Sequence, residues 1–100
     1  MEKRAYKRIP AFINAKLLYD DYFYDALILN LSQNGIYFFA KIDILSGLNI
    51  EMSIPLESTE LTVSGKIVRI SETGATSYRF GAELLSPSQE YIKFIHSRIA

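Results

Sequence analysis

Ala26-Leu27-Ile28-Leu29-Asn30-Leu31-Ser32-Gln33-Asn34-Gly35-Ile36-Tyr37-Phe38-Phe39 sets two strongly apolar runs on either side of a short polar segment that closes on glycine. Two such runs with so short a break read as two strands joined at a tight turn, and Gly35 is expected to supply a positive φ that a side chain would resist. The break also carries chemistry. Asn30 has both a carbonyl acceptor and an amide donor, Ser32 a rotatable hydroxyl, and Gly35 leaves the backbone bare for close approach. Together they suit a polar, planar or phosphorylated group, although Asn, Ser and Gly are also what any turn prefers.

Working outward, residues 11–19 are rich in Phe, Ile, Leu and Tyr, with Asn14 and Lys16 offset by two as an exposed face requires. Asp20-Asp21 marks a turn, and 22–29 pairs back as a second strand leading to Asn30. Residues 36–40 form a third strand with both faces covered, and 41–47 a loop. In 49–56, Ile50, Met52 and Ile54 alternate with Glu51 and Ser53, and Pro55 ends the strand. The longest candidate is 60–70, with Leu61, Val63, Gly65, Ile67 and Arg69 on one face and a bulge or bend expected at Gly65. A loop over 71–76 leads to a last strand at 78–85. The period then changes. Ser86 as N-cap, Pro87 at the first helical position and Gln89 three beyond the cap announce a helix, and Tyr91, Ile92, Phe94, Ile95, Arg98 and Ile99 recur as its apolar stripe. The expected fold is therefore all-β with a C-terminal helix, a six-stranded antiparallel β-barrel that hides its strand edges by closing.

The 100 residues are expected to form one domain over 1–100, divided into a basic arm at 1–9, a barrel at 11–85 and a helix at 87–99. No apolar run approaches the roughly 20 residues of a membrane span, and the first residues lack a signal-peptide pattern, so a cytoplasmic protein without membrane insertion is expected. Without cysteine and with one histidine, His96, the chain has no disulfide, no thiol chemistry and no zinc set. Asp20, Asp21 and Asp25 do not fit a calcium loop and read as a solvated turn. No nucleophile comes with a base and an orienting group, so no catalytic residue and no enzyme is expected. Formal net charge is zero, which removes any global attraction to nucleic acid, yet Lys3, Arg4, Lys7 and Arg8 place four of the 11 basic residues in the first eight positions. Such an arm is either a solvated terminus or part of a site.

Arg4-Ala5-Tyr6-Lys7-Arg8, followed after 21 residues by Asn30-Leu31-Ser32-Gln33-Asn34-Gly35, resembles the paired RxxxR and [D/N]xSxxG signature of the PilZ family, bacterial receptors for the second messenger cyclic di-GMP. The resemblance extends over the whole chain, including the Gly65–Arg69 and Tyr78–Leu84 segments. It implies a PilZ-like split barrel and a cyclic di-GMP receptor or adaptor with no other cofactor and no metal. It further implies that Arg4 and Arg8 grip phosphate and guanine, that Asn30 and Ser32 hydrogen-bond the ligand, and that Gly35 shapes the turn. Arginine suits that task because its flat, weakly hydrated fork both pairs and stacks. Lys3 precedes the first arginine and is expected to influence how many nucleotides bind, and Asn30 stands where Asp is commoner, keeping the acceptor but dropping a charge. Arg69 and Arg79 either line the nucleotide face or point to water. The arm is expected to fold over the ligand and so signal to a downstream protein, which the sequence does not identify, nor does it give the oligomeric state. The alternative is a PilZ-like protein-interaction module that binds no nucleotide. A small barrel that takes single-stranded nucleic acid is a third reading, opposed by the zero net charge.

Overall fold

The computed structural model describes residues 7–74 and 76–99, the last without its side chain. Lys3 and Arg4, with most of the basic arm, lie outside the described residues. The strands are β1 (Ile9–Tyr19), β2 (Tyr22–Ser32), β3 (Gly35–Ala40), β4 (Asn49–Pro55), β5 (Glu60–Glu72) and β6 (Tyr78–Leu84), followed by the helix α1 (Gln89–Ile99). They close into an antiparallel barrel in the order β1-β2-β3-β6-β5-β4, the expected fold. The closing seam is short: β1 meets β4 only at Lys16↔Ser53, Leu17↔Met52 and Leu18↔Glu51.

Alternation builds the barrel. Ile9, Ala11, Ala15 and Leu17 point inward from β1, while Pro10, Phe12, Asn14 and Lys16 face out. Asp20 and Asp21 adopt φ values of 53° and 70°, the left-handed pair of a two-residue hairpin turn, which short aspartates tolerate better than most residues. Phe38 and Phe80 stack in the core with centroids 5.2 Å apart. In the 41–47 loop Ile44 is fully buried, whereas Leu45 stays exposed.

Four features differ from the sequence reading, each for a local physical reason. Asn30, Leu31 and Ser32 belong to strand β2, so the turn is only Gln33-Asn34. The register shifts between Ile28 and Asn30, and the extra residue lets Ile28 and Leu31, three apart, both bury in the core. Gly35 does not take a positive φ; among the described glycines only Gly47 does, at 91°. What Gly35 answers is crowding, since a Cβ there would lie 3.2 Å from the Ala82 carbonyl oxygen.

The bulge in β5 falls between Ile67 and Arg69 rather than at Gly65. Val68 is pushed out to 51% exposure, and Ile70, three from Ile67, returns to the core side. Arg69 therefore leaves the face it would share with Ile67 and points outward. The helix begins later than expected. Ser86 sits at φ 50°, and the cap is Ser88, whose Oγ accepts the Tyr91 backbone N–H at 3.1 Å. From α1, Tyr91 and Ile95 are fully buried, and an isoleucine so placed contributes about 1.5–3 kcal/mol of transfer free energy.

Candidate functional site

Arg8 lies just before β1, and its Nη1 donates to Asn30 Oδ1 at 2.7 Å across 22 positions of sequence. That contact joins the arm to the strand that carries the second motif. Two residues on, Ser32 is 3% exposed. Its Oγ donates to Asn34 Oδ1 at 3.0 Å, and its backbone carbonyl accepts the Tyr91 hydroxyl at 2.6 Å. A Cβ on Gly35 would stand 3.7 Å from Ser32 Oγ and 3.9 Å from Arg8 Nη2. Arg8, Asn30, Ser32 and Gly35 thus converge at one end of the β2–β3 hairpin, while Lys3 and Arg4 fall outside the described residues.

Two participants escaped the sequence reading. Asn34 was assigned no role, yet it holds the Ser32 hydroxyl. Tyr91 read only as one member of an apolar stripe. Its phenol was the signal, because a tyrosine buried on such a stripe needs a partner for its O–H. Burial pushes the Tyr91 phenol well above the usual tyrosine range, and the positive charge of Arg8 pulls it part of the way back. The helix, the hairpin and Arg8 therefore share one electrostatic neighbourhood.

The other polar groups lie elsewhere. Asp25 pairs with Lys16, at 2.5 Å, rather than with its neighbouring aspartates. The hydrogen bond from Lys16, with its charge, holds the Asp25 carboxyl below the usual carboxylate range. His96 is exposed on α1, and among the described residues no group of three His, Cys, Asp or Glu side chains is placed to hold a metal ion. A cleft of about 500 Å³ between Asn14, Lys16, Asp25, Ser53, Pro55 and Glu60 includes none of the motif residues. Of the motif residues, Arg8 is exposed and Asn30 half-buried, whereas Ser32 and Gly35 are buried.

A family model of the PilZ domain matches residues 2–99. The chain belongs to the PilZ family. Solved structures share the PilZ fold at low identity. The Bacillus subtilis inhibitor of motility (MotI/DgrA) superposes with a TM-score of 0.79 at 17% identity over 99% of this chain and 51% of that one. The PilZ domain of YcgR from Escherichia coli with c-di-GMP gives a TM-score of 0.79 at 16% identity, over 98% of this chain and 92% of that one. YcgR from Escherichia coli in complex with c-di-GMP gives a TM-score of 0.75 at 18% identity, over 98% of this chain and 45% of that one. At such identities the likeness shows the fold. This PilZ chain spans about half the length of the inhibitor of motility it matches. No curated protein matches it significantly in sequence. Within the PilZ signature, the second arginine of RxxxR is Arg8 and the Asn, Ser and Gly of the second motif are Asn30, Ser32 and Gly35.

Proposed function

We propose that this PilZ domain is a non-catalytic, cytoplasmic receptor that binds cyclic di-GMP on the outer face of the barrel at the β2–β3 hairpin. The observation that carries this reading is the Arg8–Asn30 hydrogen bond, which brings the two halves of the signature together. The planar Arg8 guanidinium, with its donors in a fixed fork, engages a ligand phosphate while Asn30 fixes its orientation. Because Asn30 is a neutral amide, Arg8 keeps its full charge for that phosphate. The Ser32 hydroxyl gives its proton to Asn34 and so turns its lone pairs toward a guanine N–H.

In this reading Arg4 supplies the second grip on the nucleotide and Lys3 tunes how many molecules bind. Residues 1–9 reorganise over the ligand and so present a changed surface to a downstream protein. Calorimetric titration with cyclic di-GMP tests the proposal. Saturable binding is expected, and Arg8→Ala is expected to weaken it by about ten- to a hundredfold, the loss of a charge-assisted contact of roughly 1.5–3 kcal/mol. Melting temperature should hardly move, since Arg8 is exposed. A wild-type protein that ignores cyclic di-GMP, or binds cyclic di-AMP or an oligonucleotide equally well, sinks the receptor reading.

A further inference from the structure

The barrel closes along the short β1–β4 seam, and three clefts lie end to end along it. The first, of about 310 Å³ between Asp20 and Leu85, shares Leu18 and Glu51 with the next, of about 260 Å³. That one shares Lys16, Ser53 and Glu60 with the cleft of about 500 Å³ described above, so the three form one continuous groove. Along β1, from Asn14 to Tyr19, it is about 17 Å long, roughly the span of five extended residues. None of Arg8, Asn30, Ser32 and Gly35 lines it.

The register sets what the groove presents. Phe23 sits opposite Leu18, Leu18 opposite Glu51 and Glu51 opposite Ser64, a transverse row with two apolar side chains beside an acidic one. Phe23 is 68% exposed, and Leu85, whose N–H donates to the Ser64 carbonyl, is 42% exposed. Four carboxylates line the groove, those of Asp20, Asp25, Glu51 and Glu60, against the single cation of Lys16. Lys16 is paired with Asp25. Asp20, Glu51 and Glu60 take part in no ion pair among the described residues. Three uncompensated carboxylates beside exposed apolar side chains favour a partner that brings positive charge and some apolar surface.

The backbone contributes as well. β1 meets β4 only over Lys16–Leu18, so at Asn14 and Ala15 its β4 side is open. Alternate residues of an antiparallel strand aim their N–H and C=O at opposite neighbours, so one of these two turns both groups toward the cleft that they line. An extended chain is the shape that meets such an edge.

We propose that this groove docks an extended segment of a partner protein that carries lysine or arginine. Its basic side chains meet Glu51 and Glu60, its apolar ones rest on Leu18 and Phe23, and its main chain pairs with the open edge at Asn14 and Ala15. The site is separate from nucleotide binding, because the groove and the signature have no residue in common.

The probe is a fluorescein-labelled heptapeptide of alternating lysine and valine, followed by fluorescence anisotropy at low salt, with melting curves of each variant as a check on folding. A glutamate–valine peptide controls for charge, and a lysine–valine peptide N-methylated at alternate amides keeps the charge but cannot add to a strand. Wild type is expected to bind the lysine peptide saturably, to hold the N-methylated one more weakly and to ignore the glutamate one. Glu51→Lys and Glu60→Lys should each weaken binding about tenfold and Glu51→Gln about threefold, whereas Glu72→Lys, exposed at the end of β5 and outside the groove, should match wild type. A wild type that leaves the lysine peptide unbound overturns the proposal, and so do equal losses in Glu72→Lys, which would show general attraction to an acidic surface. Equal affinity for the N-methylated peptide overturns the main-chain pairing. Should the groove variants instead break up a concentration-dependent dimer of the wild type, the occupant is a second copy and the partner-protein assignment is overturned. Cyclic di-GMP titration of the same variants should match wild type, whatever that affinity is; a shared loss of peptide and nucleotide would mean one site and overturn the separate groove.

Discussion

Tyr91 does two jobs with one hydroxyl. Its ring fills the core and its O–H satisfies the Ser32 carbonyl beneath the signature. Tyr91→Phe keeps the ring but leaves that acceptor without its partner, which is expected to cost about 1–3 kcal/mol in a denaturant titration. The phenol also sets an alkaline limit. Its folded pKa is raised, so below the unfolded value, near 10, both states are protonated and stability is unaffected. As pH climbs above that value the unfolded chain loses its proton first, and stability falls by up to about 1.4 kcal/mol per unit until the folded pKa is reached. The phenylalanine variant should lack this component, and stability measured from pH 9 to 11 on both proteins checks it; parallel curves would contradict the assignment. Individual residues were unevenly legible. The resemblance to the PilZ signature points to Arg8, Asn30, Ser32 and Gly35, and the structure brings all four together. Gly35 answers a neighbouring carbonyl and not a positive φ, a difference hidden in the sequence, which shows that a side chain is missing but not why.

The secondary-structure elements tell a related story. The helix start was read at Ser86 because Ser86 and Gln89 have capping-box spacing, yet Ser88 holds the first turn and Ser86 serves a left-handed corner after β6. Ser88→Ala should therefore lose about 1 kcal/mol of stability, and Ser86→Gly should lose none, since glycine accepts that φ freely. Chemical denaturation of the two variants decides between the caps, and a larger loss at Ser86 would reverse the assignment. All six strands are legible in the sequence, from apolar runs between turn residues and, in 49–56 and 60–70, from alternation. The bulges are not, because glycine marks only some of them. In two of the three register shifts, those of β2 and β5, the better marker is a pair of core residues three apart, Ile28 with Leu31 and Ile67 with Ile70; the shift in β1 carries no such pair. Period two cannot bury both members of such a pair without an inserted residue. Arg69 changes face for this reason, and with it the question of which arginines accompany the signature.

Across the molecule, the distance along the chain between contacting parts has a kinetic consequence. The β1–β2 hairpin joins neighbours through a two-residue turn, whereas the β1–β4 seam spans residues such as Leu17 and Met52 and the Tyr91–Ser32 bond closes a separation of 59. Local pairings form early, and the long closures bear the larger entropic cost and come late. The β2–β3 hairpin that carries the signature, joined through Gln33-Asn34, is equally local and is expected to assemble before the helix locks the carbonyl beneath it. A ligand that needs the locked form meets nothing to bind in the folding transition state, so its stabilisation should appear in the escape rate alone. At a hundred times its dissociation constant, cyclic di-GMP is expected to slow unfolding about a hundredfold and leave the refolding rate unchanged, as read by stopped-flow fluorescence of the tyrosines. Faster refolding in its presence would mean that the hairpin grips the nucleotide before the helix arrives.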